Sequence, residues 1–143
     1  MATETKPPIL LSGYYGFGNV GDEAVLAAIC DQLRQQLPGV RLAALTSNTS
    51  LTHRYQGIKG YDRWNRKTVK QAVRSCGMMV FGGGSLLQDV TSLKSLLYYV
   101  LQFYLAKRYR KPIMVYCQGL GPLRTGLGRR LAKCCLLYTS RCV

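Results

Sequence analysis

Three glycine-rich stretches hold most of the side chains in this chain that could do chemistry. The first, GYYGFGNVGDE, sets Gly16, Gly18, Asn19 and Gly21 just ahead of two carboxylates, Asp22 and Glu23. The second, FGGGSLLQD, runs Gly82, Gly83 and Gly84 into Ser85, Gln88 and Asp89. The third, CQGLGPLRTG, offers Gln118, Gly119 and Arg124. Consecutive glycines let a backbone approach a ligand closely and turn its amides toward an oxygen-rich group. The hydroxyl, amide and carboxylate that follow the triple glycine suit sugar hydroxyls. Two alternatives stay open: Asp89 either meets a ligand or caps the helix that follows, and Arg124 either meets a phosphate or is an ordinary solvated arginine.

The first stretch formally matches the dinucleotide fingerprint, Gly16-x-Gly18-x-x-Gly21. That fingerprint requires an acid at the end of the second strand for the ribose hydroxyls, and here the strand closes ALTSNTS without one. Asp22 and Glu23 in the first helical turn suit the helix dipole and would repel a pyrophosphate placed beside them. A dinucleotide site is therefore disfavoured. A tight strand-to-helix turn capped by Asn19 or Asp22 accounts for the glycines, but it leaves Tyr14, Tyr15 and Phe17 without a role.

These loops need elements to hold them. Ile9 to Ser12 is a short apolar run suited to a buried parallel strand. A helical period follows from about Asp22 to Leu37, with Val25, Leu26, Ile29 and Leu33 on one face. Pro38-Gly39 ends it, and Val40 to Ser47 reads as a second strand. Asn65 caps a short helix through Ser75, and Met78 to Phe81 is another buried strand. Thr91 or Ser92 caps a helix to about Arg110, whose basic last turn suits a C-terminus. Pro112 stops it, and Ile113 to Gly119 makes a further strand. Alternating strands and helices predict βαβ units on a parallel sheet, a Rossmann-like α/β domain with its three glycine loops at carboxyl strand ends.

Composition narrows the function classes. Apolar residues make up 48% of the 143, with ten tyrosines, enough for a core. Twenty Lys and Arg against six Asp and Glu give a net charge of +14, which favours an anionic partner without choosing one. The basic residues are scattered and no nucleic-acid motif appears, so no nucleic-acid partner is expected. His53 is the single histidine and no CxxC pair exists, so a Cys/His zinc site lacks ligands. Cys30, Cys76 and Cys117 lie in apolar surroundings and read as free buried thiols of a reducing cytosol. The amino terminus lacks the apolar core of a secretory signal. Leu96 to Ala106 is too short to cross a bilayer, which leaves a cytoplasmic chain with contact at the membrane's inner face open. The end, CLLYTSRCV, can be back-translated into an inverted repeat resembling a sequencing-adapter mosaic end. That reading divides the chain into a domain over residues 1–134 and an adapter-derived tail over 135–143, and makes it a truncated product.

Together SGYYGFGNVGDEAVL, FGGGSLLQDVTS and YCQGLGPL, in this order, resemble the amino-terminal half of bacterial polysaccharide pyruvyl transferases of the CsaB type. The resemblance runs over Ile9 to Lys133 and rests on three motifs at compatible spacing. It implies a glycosyltransferase-B-like enzyme of two Rossmann-like domains, this chain being the first, with the active site in the cleft between them. It implies transfer of a pyruvyl unit from phosphoenolpyruvate to a sugar of a cell-wall precursor, often lipid-linked, giving a ketal and phosphate, with no further cofactor. On that basis the first two loops form the acceptor wall, with Asp22, Glu23, Gln88 and Asp89 as polar candidates and no general acid assigned. Donor-binding residues are then expected in a second half, and this chain alone is expected to be inactive. A nucleotide-sugar glycosyltransferase of the same fold and a basic nucleic-acid-binding module are the competing readings.

Overall fold

The structure, a computed structural model, describes residues 6–90 and 92–139. Five strands alternate with five helices: β1 (Ile9–Ser12), α1 (Val20–Gln36), β2 (Leu42–Thr46), α2 (Thr49–Gln56), β3 (Lys59–Asp62), α3 (Arg66–Ser75), β4 (Met78–Gly82), α4 (Leu93–Arg108), β5 (Ile113–Tyr116) and α5 (Gly126–Thr139). The strands form one sheet in the order β3-β2-β1-β4-β5, and every neighbouring pair is parallel. The chain moves from β1 outward to β3, then returns to the other side of β1 with β4. The loops after β1 and β4 therefore diverge at the carboxyl edge and leave a crevice, where open parallel sheets bind ligands. This is a single α/β domain of Rossmann-like form.

Side-chain alternation along the strands divides the core into two layers. Leu10, Ala43, Leu45, Met79 and Phe81 face α3, α4 and α5, whose Val69, Val73, Leu96 and Phe103 close that side. Their neighbours Leu11, Leu42, Ala44 and Val80 face Leu26, Ile29 and Cys30 of α1. A strand buried on both faces needs apolar residues at consecutive positions, which is why these strands read as continuous apolar runs. Asn19, Asn65 and Ser92 cap α1, α3 and α4 through side-chain oxygens that accept from backbone N–H groups, and Asn48 does the same for α2. The other proposed cap of α4, Thr91, lies outside the described residues.

Several expectations change. The last strand stops at Tyr116, not Gly119, and Cys117 that follows has a positive φ of 50° and is exposed, so it is not a buried thiol. Cys30 and Cys76 are buried, and burial pushes the Cys30 thiol up to about 11, an inert structural sulfur. Helix α2, strand β3 and helix α5 were not anticipated from periodicity. Residues 135–139 form the end of α5, whatever their origin, and Cys135 is buried in the layer with α4. Residues 140–143 of that tail lie outside the described residues. Among the described residues no helix is long and apolar enough to cross a membrane.

Candidate functional site

The crevice between the β1 and β4 loops is shaped by the packing of both onto the sheet. Tyr15, fully buried, donates its hydroxyl to the Gly82 carbonyl at 2.6 Å and so ties the first loop to the end of β4. Glu23 accepts from the Gly16 amide at 2.6 Å and closes that loop onto α1. Gly83 has φ of +80°, and a Cβ there would stand 2.7 Å from Val25 Cγ1. Only glycine allows both this left-handed turn and the close pass over α1.

Above these ties lies a pocket of about 370 Å³ lined by Tyr14, Asp22, Gly84, Ser85, Gln88 and Tyr99, among others. It joins the first and second glycine stretches. A Cβ on Gly84 would lie 3.2 Å from Asp22 Oδ1, so the carboxylate faces the bare backbone of the second loop. Among the described residues Asp22 makes no hydrogen bond or ion pair, and partial burial raises its pKa above the usual 3.8. An unpaired carboxylate of raised basicity beside a hydroxyl, an amide and a backbone turn can bind a sugar and accept its proton.

The other proposed residues are placed differently. Glu23, Asn19, Gly16 and Gly21 build the loop and the cap of α1. Gly18 has open space where a Cβ would stand. Asp89 is not part of the pocket lining. Its Oδ1 accepts from the Arg124 amide at 2.7 Å, and its Oδ2 from the Thr125 amide at 2.8 Å and the Thr125 hydroxyl at 2.5 Å. These bonds, led by the Thr125 hydroxyl, hold the Asp89 pKa down at about 2. Asp89 thus anchors the third loop ahead of α5, whereas the cap expected of it was for α4. Gly119 donates to the Gly84 carbonyl at 2.9 Å and joins the second and third loops. The Gln118 amide is enclosed with both polar atoms unpartnered, and the Arg124 side chain is exposed. No group of three His, Cys, Asp or Glu among the described residues is arranged to hold a metal ion.

Sequence reasoning missed Arg63, which follows β3. It is 6% exposed and, among the described residues, has no carboxylate partner. Its Nη1 donates to the Gly13 carbonyl at 3.0 Å and its Nη2 to the Tyr99 hydroxyl at 3.3 Å. Five aromatic rings surround the guanidinium, from Tyr98 at 4.6 Å to Tyr14 at 5.9 Å. Tyr14 and Phe17 stack in parallel at 4.0 Å and Trp64 meets Phe17 edge-on, which gives the unexplained aromatics of the first loop their role. The available signal was an arginine beside Trp64 in the basic run RWNRKTVK, which resembles any solvated charged stretch.

Comparison with known proteins adds the chemistry. The family model described as polysaccharide pyruvyl transferase matches residues 19–140 of the chain. No curated protein and no solved structure matches. The extent of the match corrects two expectations: that the likeness is to an amino-terminal half only, and that the chain is an inactive fragment of a larger enzyme. The matched region instead takes in α1 through α5 and nearly the whole of the chain. Matched over residues 19–140, the chain belongs to the polysaccharide pyruvyl transferase family, which transfers a pyruvyl unit from phosphoenolpyruvate to a glycan.

Proposed function

We propose that the crevice between the β1 and β4 loops is where the acceptor sugar binds, and that Asp22 is the base that takes its hydroxyl proton. The supporting observation is the unpaired Asp22 carboxylate facing Gly84, Ser85 and Gln88 in one pocket. Ser85 and Gln88 would hold neighbouring hydroxyls and so fix which oxygens attack. Ketal formation then balances as follows. C3 of phosphoenolpyruvate gains a proton, and the positive centre at C2 is attacked by one sugar oxygen. Phosphate leaves, and a second sugar oxygen closes the ring. Two O–H bonds break; one proton ends on C3 and the other on the phosphate. Removing the first hydroxyl proton is the step assigned to Asp22. Asp89 acts only through the third loop.

Further parts of this reading are also proposals. The acceptor is a lipid-linked precursor of a cell-wall or surface polysaccharide, and the enzyme works at the cytoplasmic face of the membrane, where its +14 charge suits an anionic surface. Residues 135–143 derive from a sequencing adapter, which independent DNA sequence across codon 135 would test.

Asp22→Asn tests the central assignment. It keeps size and helix-dipole position but loses the base, so turnover should fall about 100-fold or more while the melting temperature changes little. In the wild type the rate should fall as pH drops through the Asp22 pKa, which lies above 3.8. Near-normal turnover of the variant would remove Asp22 from the mechanism.

A further inference from the structure

Arg63 is outside the wall of the sugar pocket, yet it holds residues that form that wall. It leaves the end of β3 and ties two distant parts of the chain together. Nη1 donates to the Gly13 carbonyl, 50 residues away, and Nη2 to the Tyr99 hydroxyl of α4, 36 residues away. Gly13 directly precedes Tyr14, and both Tyr14 and Tyr99 line the pocket with Asp22. The guanidinium also lies 5.9 Å from the Tyr14 ring and 5.8 Å from the Tyr99 ring. One planar fork thus sets how the first loop stands against α4.

Stability alone does not call for a cation here. A buried guanidinium with no carboxylate partner among the described residues is costly, and the aromatic rings offset only part of that cost. An apolar side chain of similar length would fill the same cage of rings without it. What only the guanidinium does is bond the Gly13 carbonyl and the Tyr99 hydroxyl at once. We propose that Arg63 is a positioning residue for the acceptor, a buried clamp between Gly13 and Tyr99 that fixes the walls Tyr14 and Tyr99 give to the sugar pocket. The inference rests on the reading of the crevice as the acceptor site. Arg63 touches no reacting atom in that reading, so its loss weakens the hold on the sugar equally before and in the transition state. The signature is a raised acceptor KM with little change in kcat.

Arg63→Met, Arg63→Lys and Tyr99→Phe test this, with phosphoenolpyruvate and a soluble cell-wall oligosaccharide as substrates. In Arg63→Met the lost hydrogen bonds are set against removal of a buried charge, so its Tm should stay within about 5 °C of wild type. Its acceptor KM should rise about tenfold, while kcat changes less than about threefold. Arg63→Lys keeps the charge but reaches only one of the two oxygens, and it should not restore the KM. Tyr99→Phe should raise the same KM, and adding it to Arg63→Met should raise it no further. A wild-type acceptor KM in Arg63→Met, or full rescue by lysine, would overturn the proposal. So would a joint fall of kcat and Tm at unchanged KM, which would make Arg63 structural only. If Arg63→Met does not fold, the KM of Tyr99→Phe decides: raised, it supports the clamp, and at the wild-type value it overturns it. A wild-type KM in Arg63→Met beside a crippled Asp22→Asn would sink this inference alone. Wild-type kinetics in Asp22→Asn, Arg63→Met and Tyr99→Phe alike would sink the acceptor site with it.

Discussion

Asp22 and Asp89 are both carboxylates next to glycine loops, and their surroundings drive them in opposite directions. Partial burial raises Asp22, while three hydrogen bonds hold Asp89 down at about 2. The sequence showed both as acids near strand ends but not the Thr125 hydroxyl and amides that claim Asp89, because those lie far along the chain. The sign of linkage follows from the lowered pKa. Asp89 contributes stability in full above the ordinary 3.8, and the contribution is lost as pH falls through about 2. Asp89→Asn cannot accept from all three donors. Its Tm should therefore lie below that of wild type at pH 7, with the gap closing as both are acidified toward pH 2. A gap that stays constant across this range would mean that the bonds to Arg124 and Thr125 carry no charge-dependent stability.

At the scale of elements, strands and helices with a strong apolar period were legible, and the polar ones were not. β1, α1, β2, α3, β4 and α4 follow from buried positions and their Asn or Ser caps. Strand β3, with the sequence KGYD, sits at the sheet edge with no fully buried residue, so no apolar run announces it. Helix α2 buries only Thr52, which gives periodicity nothing to detect. Missing β3 also hid Arg63, since its burial comes from the edge strand delivering it under the aromatic rings of the first loop. The triple glycine was read as letting the backbone approach a ligand, and at Gly83 the close approach is to Val25 of α1. Gly83→Val would force a β-branched residue into positive φ against Val25. A loss of roughly 2 kcal/mol or more is expected in denaturant unfolding, together with loss of turnover. Wild-type stability in that variant would show that the turn can relax away from α1.

On the scale of the whole molecule, the parallel sheet puts its glycine loops at one edge. The β1 and β4 loops meet at the switch point, the third loop is pinned to them through Asp89 and Gly119, and Arg63 enters from the β3 side. The family match gives the chain its reaction, pyruvyl transfer from phosphoenolpyruvate to a glycan. Its most direct test is product analysis. The chain would be incubated with phosphoenolpyruvate and a glycan acceptor, with phosphate release measured beside NMR of the glycan. The account predicts acceptor-dependent phosphate release matched one for one by a pyruvate ketal bridging two sugar oxygens, both falling together in Asp22→Asn. Phosphate released without ketal, or ketal formed equally well by the variant, would contradict it.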